Sequence, residues 1–430
     1  MQRTATPRES SASNGGRHPA ASVVVRGITR RYYTVWLGYS LAGGFLYGVY
    51  PLFLRSRGLT QFEMNSVLAC YFVVMFLTDV PTGAFADALG RRRSFMLGCA
   101  LRVNAFLTYF FAHRFGEFVV AECIDGIGTT FCNGAIDAWG VDALDAAGFV
   151  GLKDRLFSRI SQFTNLGFMM AALIGASVAD INIAWPWLLG AAGYCLSAIV
   201  GAALMREGRR GAYVAFRAIP LQVGRRVADG LRQGFRSRAV VLLSLANGVF
   251  FAAWAPYWMQ WPQFFNDAYG VGIWVVGLVF CLFTVARMSG AEVVARLRAD
   301  VVARTWRLCL LVLAMSGLLF TAGTAGHRPN FVLATLFAMN LCIGGMQPLM
   351  TSWFNEQIGA NERATLLSFN NTFATLGGSM GLLLGGAVAD RFGISSAWQL
   401  SGMISLAALP CYWLLRPRPA AVPVVPQVAK

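Results

Sequence analysis

The chain has 430 residues, of which 56% are hydrophobic and only 13% are charged, about half the charged share of roughly 25% that is usual in globular proteins. A soluble protein of this length could not bury so much apolar surface, whereas twelve bilayer crossings of about 20 apolar residues each would use it. In a membrane protein, a net charge of +16 can arise because basic residues collect in the cytoplasmic loops. It indicates nucleic-acid binding only if the basic residues are not distributed in that way.

The predicted elements begin with a basic tail, residues 1–31, which has no apolar stretch and is predicted to be disordered. Six apolar segments then lie within 32–205 and six more within 240–416. Between them, residues 206–239 carry nine Arg and are too polar to cross the bilayer, so they are predicted to form a cytoplasmic linker. Residues 417–430 are predicted to be a second tail. The predicted segments are 33–54, 65–84, 94–112, 117–138, 160–181, 185–205, 240–262, 271–290, 307–324, 330–353, 365–388 and 396–415.

The predicted fold class is an all-α polytopic membrane protein with twelve transmembrane helices in two pseudo-symmetric six-helix bundles. The distribution of basic residues supports this count, because 29 of the 36 fall on one side of the predicted membrane and five fall on the other. The richer side contains both termini, which places them in the cytoplasm and the protein in the cytoplasmic membrane. The positive charge is then explained by topology, so we expect lipid and a small-molecule substrate as partners, no nucleic acid, and a monomer.

An internal repeat relates the two halves. Residues 166–180 (LGFMMAALIGASVAD) align with residues 376–390 (LGGSMGLLLGGAVAD), and eight of the fifteen positions are identical, including Asp180 and Asp390. These stretches are the fifth and eleventh predicted segments. Two homologous halves in this arrangement typically form a substrate site at the midplane between the repeats. The repeat therefore favours transport by alternating access.

A motif between the second and third segments carries a family resemblance. The motif is Gly83-x-x-x-Asp87-x-x-Gly90-Arg91-Arg92. Gly90 permits a sharp turn, the basic residues hold the loop on the cytoplasmic side, and the acid favours the positive end of a helix dipole. With this motif, the chain resembles the major facilitator superfamily over about residues 33–415.

The resemblance implies a contact between the halves that holds the outward-facing state. By it, Asp87 meets the helix that begins near Ala364, and Arg91 pairs with Asp137 or Asp142. The corresponding motif of the second half is degraded, because Val294 and Leu297 replace the acid and the second glycine.

Two other features depart from the family pattern. A similar stretch at 386–393 is expected on the outer face, where it does not count as a second cytoplasmic latch. The Gly-Pro pair of the family's antiporters is absent from 160–181, which weakens the case for proton-coupled drug export.

The fourth segment has an unusual polar face. Its members recur every three or four residues and so share one side of a helix: Glu122, Asp125, Thr129, Asn133 and Asp137. Arg102 of the third segment lies at a matching depth and is the expected counter-charge of Asp125. The cluster could orient substrate or carry protons, or the pair could be purely structural. Glu122 has no obvious partner and is the candidate proton carrier.

Softer candidates come from helices that line the cavity in the family that the chain resembles. They are Tyr39, Tyr47, Asn247, Trp254, Asn340, Gln347 and Asn371. For each of them the alternative is an ordinary hydrogen bond between helices, worth about 0.6 kcal/mol on average.

The sequence thus predicts a secondary active transporter of a small organic solute, proton-coupled, with export slightly favoured. The alternatives are an uptake symporter of the same fold and a membrane receptor or regulator that has lost transport. An enzyme is not expected, because the three His residues lie in tail or loop positions and no catalytic or nucleotide-binding motif occurs. The nine Cys form no metal-binding spacing, so no metal or cofactor is expected, only a proton gradient.

Overall fold

The structure is a computed structural model that describes residues 19–149, 153–206, 232–297, 301–325, 328–358 and 362–416. The long elements in this part of the chain are helices, and no strand occurs among the described residues. In the first half they are α1 (Pro19–Gly44), α2 (Val49–Ser56), α3 (Gln61–Leu89), α4 (Arg91–Phe111), α5 (Phe115–Ala146), α6 (Lys153–Ile181) and α7 (Trp185–Leu204). In the second half they are α8 (Arg238–Tyr269), α9 (Trp274–Arg296), α10 (Val301–Thr324), α11 (Pro329–Glu356), α12 (Arg363–Ser405) and α13 (Leu409–Leu414).

These helices supply the twelve predicted crossings. Ten helical stretches of the described chain are long and apolar enough to span a bilayer. One of them, Thr365–Leu414, has 50 residues and is interrupted at Gly393, where φ is +84°, so it accounts for two crossings. The twelfth is α5, which has 32 residues but carries six acidic side chains. An all-α membrane protein is therefore confirmed.

The first helix begins earlier than the sequence predicted. It starts at Pro19, so residues 19–31 of the predicted disordered tail are helical, and only 1–18 lie outside the described residues. Helix hydrogen bonds do not require a membrane, and a helix extends past the apolar stretch wherever its polar side chains can remain in water. Most of the predicted linker (207–231) and the C-terminal tail (417–430) also lie outside the described residues.

The first crossing is broken beside the interior of the protein. The backbone turns between α1 and α2, and Gly48 adopts a φ of +83°, a left-handed conformation that favours glycine. A Cβ atom at this position would lie only 2.8 Å from the side chain of Val276. Irregular backbone at membrane depth is tolerated where it faces protein or a cavity rather than lipid.

Two hydrophobic clusters form the core. One is built almost entirely from residues between Tyr32 and Met205, and the other from residues between Val240 and Tyr412. A few residues cross over, among them Leu52 in the second cluster and Leu382 in the first. Each half therefore has its own apolar core.

The halves contact each other at one end of the molecule, which we call the closed end. There the Asp390 carboxylate accepts hydrogen bonds from the backbone N–H groups of Gln61 (2.8 Å) and Phe62 (2.9 Å), at the start of α3. Asp180 accepts from the backbone N–H groups of Ile273 (2.5 Å) and Trp274 (3.2 Å), at the start of α9. The repeated aspartates thus each stabilise the positive end of a helix in the opposite half.

Further contacts between the halves lie at the same end. The Asn65 amide donates to the Leu382 carbonyl at 2.8 Å, and the guanidinium of Arg55 pairs with Asp267 at 2.6 Å. The opposite end of α3, which holds Asp87, we call the open end. Here α3 and α12 stand on either side of a cavity of about 520 Å³, so the halves are separated.

Candidate functional site

A cavity of about 360 Å³ lies in the middle of the helix bundle, within the range of roughly 300–1,000 Å³ that is typical of small-molecule sites. Its walls come mainly from the first half, and Trp258 of α8 adds to them from the second half. The lining includes two side chains with buried hydroxyl groups that have no hydrogen-bond partner, Ser40 and Tyr194. Unpartnered buried hydroxyl groups of this kind are available to a ligand.

The expected ion pair between α4 and α5 is present at this cavity. Arg102 donates through Nε to Asp125 Oδ1 (2.8 Å) and through Nη2 to Asp125 Oδ2 (3.0 Å). Its Nη1 donates to the Tyr39 hydroxyl at 2.8 Å, and its guanidinium lies 4.3 Å from the centre of the Tyr194 ring. This bidentate geometry fixes both side chains.

Glu122 lies one turn before Asp125 and also lines the cavity. It is 5% exposed, and its carboxyl group accepts a hydrogen bond from the Tyr109 hydroxyl. The Tyr50 hydroxyl lies 3.2 Å from that of Tyr109, and the Tyr109 ring stacks on Trp187 with centroids 3.9 Å apart. No basic side chain pairs with Glu122 among the described residues. An acid held only by neutral groups can exist with or without its proton.

The rest of the polar face of α5 also points inward. Thr129 and Asn133 line the central cavity. The Tyr39 hydroxyl donates to Asn133 Oδ1 at 3.2 Å, and the Tyr71 hydroxyl donates to Thr129 Oγ1 at 3.3 Å. Tyr39 therefore connects the Arg102 pair with Asn133 in one network.

Asp137 has a different environment from the one that the family resemblance implied. It accepts hydrogen bonds from the Tyr32 hydroxyl (2.8 Å) and the Trp36 indole N–H (3.0 Å), both on α1. These contacts join α1 to α5 within the first half. In this conformation both hydrogen bonds to Asp137 reach its Oδ1 atom, and Arg91 lies near Asp142, the other acid that the resemblance implied.

The motif between α3 and α4 is separated from the second half. Arg91 pairs with Asp87 at 2.6 Å and with Asp142 at 3.7 Å, so Asp142 is the acid of α5 that faces it. In the described part of the chain Asp87 contacts this arginine, and the expected contact with the start of α12 is not made. A Cβ atom at Gly83 would meet nothing within 4 Å, as expected where the two halves are separated. Gly90 ends α3 with a φ of +104°, and Arg92 lies in the first turn of α4.

The remaining candidate residues have different surroundings. Asn247, Gln347 and Asn371 line a cavity of about 270 Å³ between α8, α11 and α12, and Asn371 also lines the cavity of about 520 Å³. Tyr47, in the first half, lines the central cavity. Trp254 is stacked against Phe250 at 6.4 Å, and its indole N–H is buried without a partner.

Asn340 is a supporting residue and is not among the lining residues of the three cavities described above. It is fully buried, its amide N–H₂ group donates to the Tyr257 hydroxyl (3.0 Å) and the Leu336 carbonyl (2.8 Å), and its oxygen accepts from Arg287 Nη1 (2.9 Å). Sequence reasoning missed Arg287. The available signal was a single arginine at the centre of the apolar run of α9, since charge at membrane depth marks functional sites.

The fold and this cavity define a membrane transporter with a central site between two helical halves. A family model described as the Major Facilitator Superfamily matches residues 35–381 and 243–429. The chain therefore belongs to this family, which confirms the resemblance read from the motif. Because it is a family of transporters and not of enzymes, the prediction of a non-enzymatic protein is also confirmed.

Similar proteins share the family at low identity. The quinolone resistance protein NorA of Staphylococcus aureus (strain MRSA252) is 20% identical over 361 residues, 84% of this chain and 89% of NorA. The uncharacterized MFS-type transporter YxaM of Bacillus subtilis (strain 168) is 21% identical over 387 residues, 87% of this chain and 92% of YxaM.

Solved structures agree in fold. A mutant of the nucleoside transporter NupG superposes with a TM-score of 0.74 at 10% identity, covering 90% of this chain and 99% of NupG. A bacterial homolog of the human lysosomal transporter Spinster, solved in an inward-facing and unoccupied conformation, has a TM-score of 0.66 at 13% identity, covering 93% and 96% of the two chains.

Proposed function

We propose that this transporter is secondary active and moves a small organic solute by alternating access, driven by a proton gradient, with export slightly favoured over uptake. The observation that carries the proposal is the environment of Glu122. This side chain lines the central cavity, it is buried, and it is held by a neutral tyrosine and not by a cation. A carboxyl group in this position can take up a proton on one side and release it on the other.

The asymmetry between the two ends supports alternating access. The closed end is held by backbone hydrogen bonds to Asp180 and Asp390, while a cavity separates α3 from α12 towards the open end. With 29 of the 36 basic residues on the side of Arg91 and both termini, the open end faces the cytoplasm. The conformation is then inward-facing, and the expected Asp87 contact with α12 belongs to the outward-facing state.

We place the protein in the cytoplasmic membrane as a monomer with both termini in the cytoplasm, without a cofactor or a nucleic-acid partner. Its functional units are the bundles 32–205 and 240–416, joined by the linker 206–239. The name of NorA, a quinolone resistance protein, supports export and makes a quinolone the first substrate to test. The missing Gly-Pro pair of 160–181 is the observation that favours uptake.

The test uses everted membrane vesicles, in which respiration acidifies the interior and an exporter concentrates its substrate inside. We expect the wild-type protein to accumulate the fluorescent quinolone norfloxacin and to lose it when an uncoupler is added. Glu122→Gln preserves the shape of the side chain and removes the titratable proton. It should abolish accumulation while exchange of labelled for unlabelled norfloxacin continues.

Glu292→Gln is the matched control, because this acid is exposed and pairs with Arg296 on the surface of α9. It should accumulate norfloxacin like the wild type. Accumulation by Glu122→Gln at the wild-type level would show that Glu122 does not couple protons to transport. Accumulation by the wild type in right-side-out vesicles alone would replace export with uptake.

A further inference from the structure

Arg287 lies near the middle of α9, far from both ends of the helix. Its Nη1 donates to Asn340 Oδ1 and its Nη2 donates to Thr284 Oγ1, both at 2.9 Å. Asn340, on α11, is fixed with its Oδ1 atom towards Arg287, because both of its amide hydrogens are donated to Tyr257 and Leu336. The arginine is therefore held in place by neutral oxygens of the second half.

The charge of Arg287 is not balanced within the described protein. No carboxylate lies within ion-pair distance of it among those residues, whereas both oxygens of Asp125 neutralise Arg102. A guanidinium has five N–H donors, and the two hydrogen bonds above use only some of them. Arg287 is partly buried, and leaving a cation unpaired is unfavourable where it is shielded from water, so a compensating negative group would stabilise it.

The surroundings of Arg287 connect it to the central cavity. Its guanidinium carbon lies 5.9 Å from the ring centres of both Trp258 and Phe280. The Tyr47 ring packs against the same two rings, with centroids 5.6 Å and 5.1 Å away. Tyr47 and Trp258 line the cavity, so the arginine lies beside the aromatic residues of the site.

We propose that Arg287 binds the carboxylate group of an aromatic organic acid whose ring packs against Tyr47 and Trp258. The proposal rests on the function given above, since it takes the central cavity as the substrate site, and it names the substrate class. A carboxylate matches the planar donor geometry of a guanidinium, and it supplies the negative charge that the described protein does not. Aromatic side chains provide the apolar contact that such a ligand needs.

The test measures binding and requires no transport. Purified protein is unfolded by heat at increasing concentrations of 1-naphthoate, and in parallel with the uncharged 1-naphthamide, at constant ionic strength set with chloride. A ligand that binds only the folded state raises the unfolding temperature, and the increase grows with the logarithm of its concentration once that concentration exceeds the Kd. We expect naphthoate to raise the unfolding temperature in this way and naphthamide to bind at least about tenfold more weakly.

Arg287→Gln should raise the apparent Kd for naphthoate by about tenfold or more, and Arg287→Lys should retain part of the affinity. Arg296→Gln is the control, since it removes a positive charge from the exposed end of the same helix, and it should bind like the wild type. The unfolding temperature without ligand shows whether each variant is folded.

Three results would overturn the inference: no naphthoate binding by the wild type, equal affinity for naphthoate and naphthamide, or unchanged affinity in Arg287→Gln. If chloride alone raised the unfolding temperature and naphthoate raised it no further, the arginine would bind an inorganic anion. That result would equally reject an organic acid as its ligand. Norfloxacin accumulation is measured separately. Accumulation together with any of these results leaves the transport function standing, and naphthoate binding through Arg287 without norfloxacin accumulation rejects norfloxacin export alone.

Discussion

At the scale of single residues, two arginines at membrane depth are held in different ways, because a carboxylate pairs with Arg102 whereas neutral oxygens accept the hydrogen bonds of Arg287. Arg102 and Asp125 could be paired because a short loop makes α4 and α5 neighbours and the two residues lie at a similar depth. Glu122 followed from the spacing on α5. Arg287 has no patterned neighbour on α9, and its partner Asn340 is 53 residues away, so only the folded chain reveals what holds it.

The Arg102 and Asp125 pair leads to a prediction about folding. Arg102→Ala or Asp125→Ala alone leaves one charge unpaired in the interior, which typically costs about 3–5 kcal/mol. Removing both charges should recover much of that loss. The measurement is the folded fraction and unfolding temperature of the single and double variants at matched expression.

The matched control for this cycle is the exposed pair of α9, Glu292 and Arg296, whose side chains are 60% and 77% exposed. Exposed pairs contribute about 0–1 kcal/mol, so its alanine variants should unfold like the wild type. An Arg102/Asp125 double variant that folds no better than either single one would contradict the pairing energy assigned here.

At the scale of helices, the apolar segments predicted the number of crossings, and the repeat aligned Asp180 with Asp390. The contacts that these aspartates make could not be predicted from the repeat. The backbone N–H groups that bind Asp390 are 329 and 328 residues away, and helical periodicity contains no information about a partner in the other half. The extension of α1 to Pro19 was missed for a different reason, because hydrophobicity marks the membrane stretch and not the end of the helix.

The symmetric aspartates predict a shift in conformation. Asp180→Asn and Asp390→Asn each remove a negative charge from a helix N-terminus, worth about 0.3–1 kcal/mol and up to ~2 when partly buried. The outward-open population should rise about 2- to 30-fold. The measurement is labelling of Ser40→Cys, a cavity residue, by a membrane-impermeant maleimide added outside, in a variant that lacks the nine native cysteines.

Two companion variants test the specificity of this effect. Asp267→Asn breaks an ion pair at the same end whose side chains are about half exposed, so labelling should change little. Asp87→Asn acts at the open end and should lower labelling if, as the family resemblance implies, its charge favours the outward-facing state. Equal labelling in Asp180→Asn, Asp390→Asn and Asp267→Asn would mean that the aspartates do not hold the closed end.

At the scale of the whole molecule, composition and the distribution of basic residues predicted a twelve-helix membrane protein with two halves. The conformation could not be predicted, because both states of a transporter share the same sequence and nearly the same helices. They differ in a few contacts between the halves, each worth little free energy. The closed end, the separated open end and the cavity between them are properties of the folded chain alone.

The most direct test of this account is a pair of distance measurements by pulsed electron paramagnetic resonance in lipid. Spin labels are placed at exposed positions, Ser56 with Ala268 at the closed end and Ala146 with Gln357 at the open end, in the cysteine-free protein. The protein is compared with and without the combined Asp180→Asn and Asp390→Asn substitutions. If the halves rock around the central cavity, the substitutions should raise the share of molecules with a longer closed-end distance. The share of molecules with a shorter open-end distance should rise in the same proportion. Closed-end distances that lengthen while the open-end distances stay fixed or lengthen too would contradict alternating access.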